Sequence, residues 1–212
     1  MDLATTPAAK RRIDFILDLI ERAVVIGLFV ALCARLGGDF VRHGHFVSLL
    51  LVIGESIPVG LILLRRPAHP LSRRPRDWIL TMTGTCVPLL VRAGGPALLA
   101  PVTCGLIILV GFGVQVWAKL SLGRSFGLVP ARRGLKCGGP YGLVRHPMYA
   151  GYLLMDVGFL LANASGWNVV MYFVAYSAQL ARLFAEEQLL MEDPAYRAYA
   201  ARRRWRILPG VF

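Results

Sequence analysis

The chain has 212 residues, 56% hydrophobic and only 17% charged, with a mean hydropathy of +0.58. That excludes a disordered chain, which needs low hydrophobicity and high charge, and departs from a soluble domain, where about a quarter of residues are charged. The 24 Lys and Arg against 12 Asp and Glu leave a net charge of +12, which suits either a membrane protein with basic loops or a nucleic-acid binder.

The first apolar run is Ala23 to Leu36, preceded by the amphipathic stretch Ile13 to Arg22. Together they predict one long helix entering a membrane at a slant. A cleaved signal peptide is the competing reading, because Arg11 and Arg12 precede an apolar core. Asp14, Asp18 and Glu21 interrupt its basic region, and Leu32 stands where cleavage wants a small residue, so a retained helix is favoured. The second run, Phe46 to Leu64, holds Glu55 as its single charge, and Pro58 should kink it. The third, Trp78 to Val91, is short for a span, which needs about 20 residues. The fourth, Pro96 to Leu120, is long enough to cross, and Gly111 and Gly113 would permit close helix approach. A polar, basic stretch follows. Met148 to Asn163 and Trp167 to Phe184 then form an antiparallel pair joined by the tight turn Asn163-Ala164-Ser165-Gly166.

The fold class expected is therefore all-α, a polytopic integral-membrane bundle of five to six transmembrane segments. Residues 1–120 supply N-terminal helices and 121–212 a C-terminal core, the two forming a single structural unit. With the N-terminus inside, the inner segments carry every basic cluster: Lys10 to Arg12, Arg65 to Arg76, Lys119 to Arg145, and Arg182 to Arg206. The outer loops carry only Arg35, Arg42 and Arg92. This is the asymmetry of the positive-inside rule, with both termini cytosolic. A nucleic-acid binder would instead show a basic face on a soluble fold. The arginines then contact membrane lipids, and no nucleic-acid partner is expected. Cys33, Cys86, Cys104 and Cys137 include no CxxC pair and have no His at ligand spacing, so no metal site is expected.

The densest polar segment runs from Gly138 to Gly151: a Gly/Pro-rich turn, Arg145 and His146, then Pro147 at a helix start. Such a start offers free N–H groups and a positive dipole end to an anionic ligand. On composition alone the favoured reading is an interfacial turn, with Tyr141 and Tyr149 as membrane-interface anchors. A second cluster, Arg182-x-x-x-Glu186-Glu187, closes the last long helix, with Arg182 and Glu186 on one face. It is either an ion pair at the bilayer exit or a cation and an anion aimed into one pocket.

Gly139-Pro140-Tyr141, Val144-Arg145-His146-Pro147-x-Tyr149-x-Gly151, Arg182-x-x-x-Glu186-Glu187, Tyr196-x-x-Tyr199 and Pro209-Gly210, in this order, resemble the isoprenylcysteine carboxyl methyltransferase family. The related phospholipid N-methyltransferases share much of the pattern. The resemblance covers about the last 90 residues. It implies a membrane methyltransferase that uses S-adenosylmethionine, with its cofactor pocket on the cytosolic side. Tyr141, His146, Pro147, Met148, Tyr149 and Glu186 would contact the cofactor, as would the loop Arg133, Gly134, Leu135 and Lys136. Arg182 would be the catalytic, substrate-side cation.

Physical chemistry is consistent with those roles. A sulfonium zwitterion needs a carboxylate, hydrogen-bond donors and an adenine slot. A guanidinium can hold a carboxylate as a planar fork. In-line methyl displacement gains from positioning and desolvation. Glu55 and Asp156 are intramembrane acids and hence functional candidates. Gln115, Asn163 and Asn168 are expected to bond between helices. Tyr196, Tyr199 and the Arg202–Arg206 tail are expected to dock on the cytosolic face.

The expected activity is methylation of a lipophilic acceptor, such as a prenylcysteine-like or isoprenoid carboxylate; a lipid amine or a thiol stays open. A membrane reductase of the sterol-reductase type, using a nicotinamide cofactor, is the rival enzyme. An inactive scaffold or transporter subunit is the non-enzymatic rival, but no repeated halves are present.

Overall fold

The structure, a computed structural model, describes residues 7–43, 56–57, 59–64, 74–92, 94–127 and 135–212. Glu55, Pro58, Arg133 and Gly134, together with most of the second apolar run, lie outside them. Among the described residues there is no strand. Six helices have fully defined bounds: α1 (Pro7–His43), α2 (Pro75–Cys86), α3 (Pro101–Leu122), α4 (Pro147–Ala162), α5 (Gly166–Leu190) and α6 (Pro194–Arg202). The chain divides into two compact units, Met1–Leu71 with Leu122–Gly134, and Ser72–Ser121 with Leu135–Phe212.

In the first unit, α1 continues unbroken from its amphipathic half into its apolar half. Its buried positions are Asp14, Asp18, Glu21 and Val25, while Phe15, Ile16, Leu19, Ile20 and Val30 are exposed. Arg22 holds Asp18 at 2.7 Å and donates to the Leu63 carbonyl at 3.1 Å. A soluble helix has the opposite arrangement, apolar inward and polar outward. An apolar outer face costs nothing against lipid, whereas the acids need partners wherever they sit.

The second unit repeats this logic. α3 is 22 residues long, about 33 Å at 1.5 Å per residue, which matches the hydrocarbon core. It is the one helix among the described residues long and apolar enough to cross a membrane. The expectation of five to six such spans is thus met at one; α4, with 16 residues, is apolar but shorter. α3 exposes Val102, Leu106, Leu109 and Val110 and buries Gln115 and Lys119.

α3 and α4 touch backbone to backbone. A Cβ on Gly151 would fall 2.7 Å from the Gln115 nitrogen and 2.8 Å from the Gly111 carbonyl. One on Gly111 would fall 2.7 Å from the Met155 nitrogen. Small residues permit such crossings in membranes, where packing rather than the hydrophobic effect joins helices. Gly113, the other glycine expected to serve this purpose, faces open space.

The third apolar run forms α2, 12 residues long, followed by the tight helical turn Val87–Leu90. α2 packs along α5, with Gly84 against Gln179, whose amide donates to the Gly84 carbonyl at 3.3 Å. The α4–α5 turn falls at Asn163–Ser165, as expected. Ser165 caps α5 by accepting from the Asn168 amide at 3.1 Å. Asn163 and Asn168 do not bridge helices as expected; they hold the loop before α3. Asn163 accepts from the Gly94 amide at 2.9 Å. Asn168, fully buried, accepts from the Arg92 amide and donates to the Arg92 and Asn163 carbonyls. The Arg92 and Gly94 backbone groups lie outside any helix, and these side-chain amides bond them.

Candidate active site

Gly139 to Gly142 form a tight helical turn that buries Pro140 and Tyr141. Gly139 adopts φ of +60°, and a Cβ there would lie 2.9 Å from the Ser121 hydroxyl. Both facts require glycine. Arg145 and His146 follow, both buried, and Pro147 opens α4. The His146 carbonyl accepts from the Tyr149 and Ala150 amides, so this helix start offers fewer free N–H groups than the sequence suggests.

The Arg145-His146 segment is held from both sides. The Arg145 amide donates to the Trp205 carbonyl at 3.0 Å and the His146 amide to the Arg206 carbonyl at 2.7 Å. Arg145 Nη2 also reaches the Arg204 carbonyl at 3.2 Å. On the other side stands Glu187 of α5. Its Oε1 meets Arg145 Nη1 at 2.7 Å and His146 Nε2 at 3.2 Å, and its Oε2 meets Arg206 Nε at 2.8 Å. Burial alone would raise the Glu187 carboxyl. Hydrogen bonds from His146 and Arg206, with the charges of His146 and Arg145, outweigh it and hold the group below its usual value.

A second group gathers beside this network. Tyr149 lies edge-on to the His146 ring at 5.7 Å, and the Arg182 guanidinium stands 5.6 Å over the Tyr149 ring. Glu186 acts electrostatically on both Tyr141 and Tyr149. Burial first, then the Glu186 charge, pushes the Tyr141 phenol well above its ordinary value. Lys119 of α3, fully buried, points at the Tyr152 ring, 5.8 Å away. Docking of α6 closes this side: the Tyr199 hydroxyl donates to the Tyr141 carbonyl at 2.7 Å. Burial, and then Cys137, lift the Tyr199 phenol to about 12.

Next to Tyr149 is an apolar cavity of about 190 Å³, bounded by Leu153, Tyr176, Leu180, Ile207 and Phe212 among others. Tyr176 also donates to Asp156 at 2.8 Å, which gives that α4 acid a partner.

Tyr141, His146, Pro147, Tyr149, Arg182 and Glu186 thus converge, with Met148 half-buried in the same segment. Leu135 and Lys136 are exposed and outside this buried cluster; Arg133 and Gly134 fall outside the described residues. The sequence reading missed Glu187, Arg145 and Arg206. Arg145 Nε is buried with no hydrogen-bond partner among the described residues, and the buried Tyr149 hydroxyl faces the Glu186 carboxylate. An unsatisfied buried donor beside an acid fits a ligand bearing both a carboxylate and a cation.

Residues 99–197 match the phospholipid methyltransferase family. The match covers just under half of the chain and is a similarity to that family. The matched segment runs from just before α3 into α6, and it contains every residue of the converging cluster. The family comprises integral-membrane methyltransferases, isoprenylcysteine carboxyl methyltransferase-like members included, and its members generally use S-adenosylmethionine. No curated protein matches the chain.

Proposed function

We propose that this domain transfers a methyl group from S-adenosylmethionine to a lipophilic acceptor bearing a carboxylate, in the manner of the isoprenylcysteine carboxyl methyltransferases. The observation that carries the reading is the convergence of Tyr141, His146, Tyr149, Arg182 and Glu186 beside the buried, partnerless Arg145 Nε. When bound, the cofactor supplies an electrophilic methyl group. Glu186 is suited to a cofactor hydroxyl or its ammonium, and Arg145 Nε and the Tyr149 hydroxyl to its carboxylate. The Tyr149 ring, edge-on to His146, offers a flat apolar wall.

Arg182 is the residue assigned to the acceptor. Its planar fork geometry suits a carboxylate. A carboxylate nucleophile needs no general base, in keeping with the absence of an obvious one. The apolar cavity beside Tyr149 would take the acceptor's tail. Both termini and the pocket are assigned to the cytosol by the distribution of basic residues.

Calorimetry with S-adenosylmethionine, followed by labelled-methyl transfer into a total lipid extract, tests the reading. Base-labile label in a lipid fraction is expected, because methyl esters hydrolyse in alkali. Base-stable label would point to an amine acceptor, and no cofactor binding would end the proposal. Arg182→Lys keeps the charge but loses the fork, so it should lower turnover while leaving cofactor affinity near wild type. Loss of cofactor binding in that variant would move Arg182 to the cofactor site.

A further inference from the structure

The matched family segment ends at residue 197, yet the Arg145-His146 segment is gripped by residues beyond it. We propose that the terminal strap 203–212 is a positioning element of the active site, and that the Arg206–Glu187 pair is the latch that fastens it. The inference rests on the methyltransferase reading above for its cofactor readout.

Three observations support it. First, the strap supplies the backbone acceptors for the Arg145 and His146 amides, at 3.0 and 2.7 Å. Without them, these two buried residues would have unsatisfied N–H groups next to the helix start. Second, the strap has its own internal fastening. The Arg206, Ile207 and Leu208 amides all donate to the Phe212 oxygen, at 2.9, 2.8 and 3.0 Å, so the segment folds back and holds its shape. Third, Arg206 is held in a specific pose. Its guanidinium lies over the Phe212 ring at 5.2 Å and the Phe184 ring at 5.7 Å, while Nε meets Glu187. Phe184 and Phe212 meet edge-on at 6.2 Å, and contact with both rings restricts the direction of the guanidinium.

Glu187 therefore ties together three chain segments: the α5 end, the His146 turn and the strap. Arg206 and Glu187 act through His146 and Arg145, so both are positioning residues. Releasing the latch frees the strap, and the turn that presents His146 and Tyr149 loses its backing.

The test uses the full chain in detergent micelles or nanodiscs. Arg206→Ala should weaken S-adenosylmethionine binding about tenfold or more, the scale of a lost charged hydrogen bond. Amide exchange should rise in peptides covering Arg145 and His146 and stay unchanged in α2. Arg206→Lys keeps a cation within reach of Glu187 but loses the planar contact with the rings, so it should fall between wild type and Arg206→Ala. Glu187→Gln turns an amide donor or a neutral oxygen toward Arg206 and should reproduce Arg206→Ala, which provides a second route if one variant does not fold. Arg203→Ala, an exposed side chain on the same strap, should change nothing.

Unaltered affinity and exchange in Arg206→Ala would overturn the proposal. So would a rise in exchange spread evenly through α2, α4 and α5, since that is global loosening. A wild-type protein that binds no cofactor, yet shows the local exchange response, would sink the methyltransferase reading while leaving the strap's hold on the turn intact.

Discussion

Glu186 and Glu187 are adjacent in sequence and should behave as opposites. Glu187 is 5% exposed, and its carboxylate is the shared anion of Arg145, His146 and Arg206. Truncating it to Ala leaves the buried Arg145 and the two other cationic or polar groups facing one another without a counter-charge. Breaking a buried pair by removing one partner costs about 3–5 kcal/mol. At roughly 2–4 °C per kcal/mol for a chain of this size, the apparent midpoint should fall by about 6–20 °C. Glu186 is only half-buried and bonds to none of those groups, so Glu186→Ala should cost under about 1 kcal/mol. Its effect should appear in calorimetry instead, as a loss of S-adenosylmethionine affinity in a protein of normal stability. The assay pairs thermal unfolding in micelles, followed by tryptophan fluorescence, with cofactor titration of both variants. If Glu186→Ala lowered the midpoint as far as Glu187→Ala, the two acids would share one structural role. The separation into a ligand-facing and a structural carboxylate would then be wrong.

The α3–α4 crossing gives a matched pair: Gly151→Ala should destabilise by about 1–3 kcal/mol, because its new methyl meets backbone on the other helix. Gly113→Ala, facing open space, should be neutral or slightly stabilising on helix propensity alone. Asn168→Ala strands the Arg92 backbone groups and should cost at least about 1–3 kcal/mol, read as a lowered unfolding midpoint with cofactor affinity retained. The depressed Glu187 carboxyl sets a pH dependence. Its folded value lies below the reference of 4.5, so its stabilisation is complete above that pH and is lost as pH falls through the lower folded value. Midpoints measured from pH 7 downward should therefore drop more steeply for wild type than for Glu187→Gln, and parallel curves would contradict the assignment.

What was legible in the sequence follows from how each feature is encoded. Helix starts written by Pro and a cap residue were readable: Pro147 opens α4, and the Ser165 turn separates α4 from α5. The short α2 was readable from the length of its apolar run. The strap was not, because Arg203 to Phe212 has no period, and its bonds reach partners about 60 positions away in sequence. The number of spanning helices is legible only in part: among the described residues α3 alone is long and apolar enough to cross, and most of the second run lies outside them. The apolar helices α2 and α4 are shorter than a full span.

The structural role of Glu187 is more instructive, because the information was present. α5 buries Asn168, Tyr172, Ala175, Gln179 and Leu183. These positions advance by three or four residues, so they form one stripe, and Glu187 is its next member. Glu186 is rotated by about 100° from it. In a soluble protein the stripe to follow is apolar, and by that rule a glutamate is read as solvent-facing. Here the outward positions, Val169, Phe173, Leu180 and Phe184, are the greasy ones, and the polar residues mark the interior. Lipid is as apolar as any core, so it offers no penalty for an exposed Phe, while a buried Asn, Gln or Glu finds its hydrogen bonds only inside the protein. The same inversion on α1, where Asp14, Asp18 and Glu21 are buried and Phe15 and Leu19 exposed, shows that it is not peculiar to the active site. Following the polar stripe along α5 leads directly to the carboxylate that Arg145, His146 and Arg206 share.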